Sequence, residues 1–153
     1  GAEPALLRSC GMRTEILPAD EMPAMTADHM RRAIRTAFEA YENDDRDALE
    51  KVIAEDFSFT SPYDNAIGRE EYFLRCWPNH KTTASMMLER ICIDGDGAYV
   101  TYVGTDTSGR SFRNTEYMTF RSGRIASVEV YFGPEYRDGA MLPARPSRST
   151  SVN

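Results

Sequence analysis

The run FRNTEYMTF, residues 112–120, alternates as a strand does, so its two rows of side chains face opposite sides of a sheet. Arg113, Thr115, Tyr117 and Thr119 form a mostly polar row. Phe112, Asn114, Glu116, Met118 and Phe120 form the other, with an amide and a carboxylate set among apolar groups. Removing a carboxylate from water disfavours its charged form and raises its pKa. A glutamic acid kept neutral near pH 7 can donate a hydrogen bond to a developing oxyanion or act as a general acid. A second carboxylate, Asp64, follows Pro62 and Tyr63 where an expected strand ends. Asp64 as ionised base and Glu116 as neutral acid would make a split catalytic pair, with Asn114 orienting the substrate. Tyr63 and Trp77 would supply a ring wall with a polar edge.

The elements that must position these groups follow from periodicity. Thr26 can cap a helix running to about Asn43, with Met30, Ala33, Ile34, Ala37, Phe38 and Tyr41 on one apolar stripe. Asp45 or Asp47 can cap a short second helix. FSFTS reads as a strand ended by Pro62, and REEYFLRCW as a third helix stopped by Pro78. From residue 82 the period changes: TASMMLERICI, AYVTYVGTDT, RSFRNTEYMTFR and RIASVEVYF are strand-like runs joined by short glycine-containing turns. Helices first and an antiparallel meander second predict an α+β fold, a long helix packed on one face of a curved antiparallel sheet. The domain is expected over 25–136, after a flexible arm at 1–24 and before a flexible tail at 137–153.

Composition narrows the function. A chain of 153 residues, 41% hydrophobic and 27% charged, suits one globular domain. The net charge is −6, without a basic stripe for phosphate backbones, so no nucleic-acid partner is expected. No apolar run reaches the ~18 residues of a membrane span, and no secretory signal is expected. Cys10, Cys76 and Cys92 lack framework spacing and read as reduced thiols of a cytoplasmic protein. His29 and His80 lie far apart and neither belongs to a run with metal-ligand spacing, so no metal site is expected.

Three stretches, AFEAYENDDRDALEKVIAEDFSFTSP, IGREEYF and RSGRIASVEVYFG, resemble in order and spacing the SnoaL-like branch of the nuclear transport factor 2-like superfamily. The resemblance covers about residues 28–136. It implies a cone whose sheet wraps the first helix and leaves a pocket at the open end. It also implies a homodimer packed through the sheet's outer face, where Glu129 and Tyr131 would lie. Ala126, Val128, Val130 and Phe132 would face the cone, and Tyr41, Met118 and Val130 would help line it. Aligned with the ketosteroid isomerase family, RNTEYMTF places Glu116 at that family's hydrogen-bonding acid. The family's base falls on Ser61 and its oxyanion tyrosine on Ala37, with Tyr41 one turn further on. A literal steroid isomerase is therefore rejected. The arginine of the fold's epoxide hydrolases is also missing, because Asn114 stands two residues before Glu116.

Two function classes follow. One is cofactor-free acid–base chemistry (isomerisation, cyclisation or dehydration) on a small, largely apolar ligand bearing a carbonyl or hydroxyl. The other is a non-catalytic binding module or subunit using the same pocket. These residues also have structural readings: Glu116 where the strand meets solvent, or held by Asn114 or a backbone group, Asp64 in a local turn, Trp77 in helix-end packing, His80 in a solvated loop, Cys76 in the core.

Overall fold

The computed structural model describes residues 25–145. The expected arm at 1–24 and residues 146–153 of the expected tail lie outside them. Helix α1 spans Ala27–Asn43, and the Thr26 hydroxyl accepts the His29 N–H at its N-terminus (3.2 Å). Its stripe of Met30, Ala33, Ile34, Ala37 and Phe38 is buried. Asp44 takes the left-handed conformation (φ 54°) that ends the helix. Helix α2, Arg46–Val52, is capped by Asp45, which accepts the Ala48 N–H (3.0 Å).

Strands β1 (Ile53–Ser61) and β2 (Asp64–Gly68) form a hairpin around Pro62 and Tyr63, and α3 follows over Arg69–Arg75. The expected stop at Pro78 is displaced. Helix α3 ends before it, and Pro78 lies in the first turn of a 3-10 helix, Trp77–Thr82. There a missing N–H leaves no hydrogen bond unmade. Strands β3 (Thr83–Asp94), β4 (Gly97–Asp106), β5 (Ser111–Arg121) and β6 (Arg124–Tyr131) form the predicted meander. Ser122 and Gly123, both at positive φ, make the tight β5–β6 turn.

The main strand order is β2-β1-β6-β5-β4-β3. All these pairs are antiparallel except β1 with β6, so the curved sheet is mixed rather than wholly antiparallel. A tight hairpin can only join antiparallel strands. The whole meander separates β1 from β6, which frees that pair from the constraint. Register shifts in β1, in β3 and between β5 and β6 bend the sheet around α1. Ala126, Val128 and Val130 are buried as expected, but Phe132 is 46% exposed. Phe132 lies beyond the end of β6, where strand alternation no longer sets its direction.

The chain does not become irregular at 137. Strands β7 (Glu135–Arg137) and β8 (Ala140–Met141) form a hairpin, and β7 pairs with the start of β5. Arg145 reaches Asp106 (2.6 Å) and Glu135 (2.8 Å), and Arg110 also pairs with Glu135. Residues 135–145 are thus fastened beside the β4–β5 turn.

Candidate acid–base site

The β4–β5 register sets the row that contains Glu116. Tyr102 stands opposite Asn114, Val100 opposite Glu116, and Ala98 opposite Met118. On the other side, Val130 of β6 also pairs with Glu116. The carboxyl group therefore projects from the concave face, flanked by two valines, and Glu116 is half-buried. Phe38 of α1 packs edge-on against Tyr102 (4.7 Å between ring centroids), which places this row against the helix.

The polar groups form a connected set. The Tyr102 hydroxyl donates to Glu116 Oε1 (3.0 Å), and Asn114 Nδ2 donates to the Tyr102 hydroxyl (3.2 Å). The Gly133 N–H donates to Asn114 Oδ1 (2.9 Å). Burial pushes the Glu116 carboxyl up from its ordinary value to about 7, and the Tyr102 hydrogen bond offsets part of that rise. Tyr41 of α1 and Tyr72 of α3 share a short hydroxyl–hydroxyl bond. Burial is the main cause that holds the hydroxyls of Tyr41, Tyr72 and Tyr102 above the usual phenol range, and Glu116's negative charge adds to it in each case. Four elements thus place three protonated tyrosines around one carboxyl that changes charge near neutrality.

Each of the other expected site residues makes contacts of its own. Asp64 accepts from the Ser61 hydroxyl (2.9 Å) and pairs with Arg75 (2.7 Å). Its partners belong to the β1–β2 turn and α3, whereas those of Glu116 are the tyrosines. Tyr63 is exposed, its ring 5.7 Å from that of Phe132. Trp77 is buried and packs on Tyr41 (5.0 Å) and His80 (4.4 Å), so it backs Tyr41. Met118 is core. His80 is not a solvated loop residue: its side chain is largely buried against Trp77, with Nε2 3.0 Å from Asp44. A groove of about 650 Å³ lies on the surface by α2 and α3, lined by Arg46, Glu50, Arg69 and Phe73 among others. It includes neither Glu116 nor the three tyrosines.

Sequence reasoning missed Tyr102, Tyr72 and Gly133. The alternation Ala98, Val100, Tyr102 was readable, but matching Tyr102 to Asn114 needs the hairpin register. Tyr72 sits on a helix too short for a clear stripe.

A SnoaL-like domain matches residues 34–128, more than half of the chain. The chain belongs to this SnoaL-like family. Among curated proteins, nothing matches. Solved structures share the cone. An NTF-2 like protein of unknown function from Burkholderia xenovorans LB400 is 22% identical, with a TM-score of 0.61, over 84% of this chain and 97% of that one. A candidate polyketide cyclase from Sinorhizobium meliloti is 24% identical, with a TM-score of 0.56, over 67% and 98%. An LEH-like epoxide hydrolase from M. tuberculosis is 17% identical, with a TM-score of 0.59, over 69% and 83%. These likenesses fix the fold of this SnoaL-like domain and leave its chemistry to its own residues.

Proposed function

We propose that this SnoaL-like protein binds a small, mostly apolar organic molecule bearing a carbonyl or hydroxyl on the concave side of its sheet. There it moves a proton on that molecule without a cofactor, in an isomerisation, cyclisation or dehydration. The observation that carries this reading is Glu116: a carboxyl between Val100 and Val130, raised to about 7 and held by Tyr102. An acid whose pKa lies near the working pH has both forms available. The ionised form can take a proton from carbon beside a carbonyl, and the neutral form can return it. In the Tyr41–Tyr72 pair one hydroxyl donates to the other, so the acceptor keeps a proton for a ligand oxygen that gains negative charge.

For Asp64 we propose a structural role in place of the expected base. Bound to Arg75 and Ser61, it anchors the turn that carries Tyr63. A single acid also favours the second reading, a binding module without turnover. The sheet's outer face carries Tyr99, Tyr117 and Tyr131. Tyr99 and Tyr131 are among its exposed large side chains, and Tyr99 stacks on Tyr117 (4.8 Å). This face would join two copies into a homodimer.

The test starts from a thermal-shift screen of small apolar ketones and alcohols, followed by product analysis with each compound that binds. Glu116→Gln is expected to abolish turnover while ligand affinity stays within about tenfold, ~1.4 kcal/mol. Undiminished turnover in that variant removes Glu116 from the mechanism. Compounds that bind the parent tightly and are never transformed assign the binding module instead.

A further inference from the structure

The contacts of Asn114 have a direction. A backbone N–H can only donate, so the amide edge facing Gly133 must be the oxygen. The other edge, Nδ2, therefore faces Tyr102 and donates to its hydroxyl. A phenol carries one proton. With Asn114 donating to its oxygen, that proton is left to point at Glu116 Oε1. In a carboxylic acid the hydroxyl oxygen is the weaker acceptor, so the oxygen that takes Tyr102's bond is the carbonyl one.

We propose that Gly133, Asn114 and Tyr102 form a one-way donor relay that occupies Oε1 of Glu116, leaving Oε2 to carry its exchangeable proton and to meet the ligand. The consequence for chemistry rests on the reading of Glu116 as the acid; the relay itself does not. Asn114 and Gly133 are positioning residues, since each acts on Glu116 only through Tyr102. The geometry suits such a fixed device. Asn114 is buried, and a methyl group added at Gly133 would come within 1.9 Å of the Arg113 carbonyl oxygen, so Gly133 sits tightly against β5. Tyr102 on β4, Tyr41 on α1 and Tyr72 on α3 act electrostatically with Glu116, and the thiol of Cys76, at the end of α3, acts on Tyr41 and Tyr72. The strand neighbours of Glu116 are Val100 and Val130.

The test is an NMR titration of protein labelled with ¹³C at the glutamate carboxyls, the Glu116 signal being the one lost in Glu116→Gln. Tyr102→Phe is expected to raise the midpoint by about one pH unit, because a hydrogen bond to the ionised form disappears. Asn114→Leu is expected to raise it by a smaller amount, since the Tyr102 proton is no longer directed. In the Tyr102→Phe background, Asn114→Leu should change the midpoint by less than about 0.3 pH unit, the size expected of non-coupled error. An equal shift in both backgrounds, or none in the parent, overturns the relay. Asn114→Ser replaces Asn114→Leu if the latter does not fold. The parent supplies a measurement that needs no variant: the Gly133 amide signal should move with pH at the Glu116 midpoint, and a Gly133 amide that stays fixed there overturns the relay. None of these readouts uses turnover, so they stand or fall separately from the enzyme reading.

Discussion

Glu116 binds its proton more tightly in the folded chain than in the unfolded one, about 7 against a usual 4.5. Between those values the native state holds more protons, so stability falls as pH rises from about 4.5 through 7 and then levels off. The full shift corresponds to roughly 3 kcal/mol, and partial exposure of the side chain reduces it to about 2 kcal/mol. Glu116→Gln should remove this loss. Urea unfolding of parent and variant at pH 5 and pH 8 measures it as a double difference in which other titrating groups cancel. The same pH dependence in both proteins would assign the charge-burial cost elsewhere. Strand alternation alone made the inward direction of Glu116 readable. It could not reveal that Asp64 is spent on Arg75, because that pair forms only when α3 folds back beside the β1–β2 turn.

At the scale of elements, the β4–β5 hairpin and the end of β6 build the site. Gly104 of β4 leaves room for the Phe112 ring, which a methyl group there would meet at 2.3 Å. The cross-strand match of Tyr102 to Asn114 follows from this hairpin's register, and the sequence shows a turn there without its geometry. Gly133 joins the end of β6 to β5 by a contact with no space for a side chain. Gly133→Ala should therefore destabilise the fold by about 1–3 kcal/mol, the range for overpacking, as read by chemical denaturation. An unchanged midpoint would show that the two segments can separate freely. The α1 stripe and the meander were legible because long periodic segments state their own burial. The β7–β8 hairpin was not, since three residues and two residues carry no period and depend on β5 and on Arg145 for their place.

At the scale of the whole molecule, an acidic chain with no metal-ligand cluster and no helix long and apolar enough to cross a membrane among the described residues presents a tyrosine-bearing sheet face. A dimer through that face would bury Tyr131, which stands opposite Thr115 at the end of β6. Tyr131→Arg would place a charge in the contact and should raise the dissociation constant of the dimer by tenfold or more, as followed by sedimentation. An unaltered dimer would move the interface to another surface.

The parallel pairing of β1 with β6 has a consequence for how the molecule comes into being. Strand β1 is made early, yet the neighbour that completes it is the last long strand of the sheet. During synthesis, α1, α2 and β1 must wait while the meander emerges, and long-range closure of this kind is the slow step in assembling a fold. Gly133, which sets the direction of the polar chain ending at Glu116, leaves the ribosome later still. A nascent chain thus carries the Glu116 carboxyl before the Gly133 N–H that closes the polar chain behind it has been made.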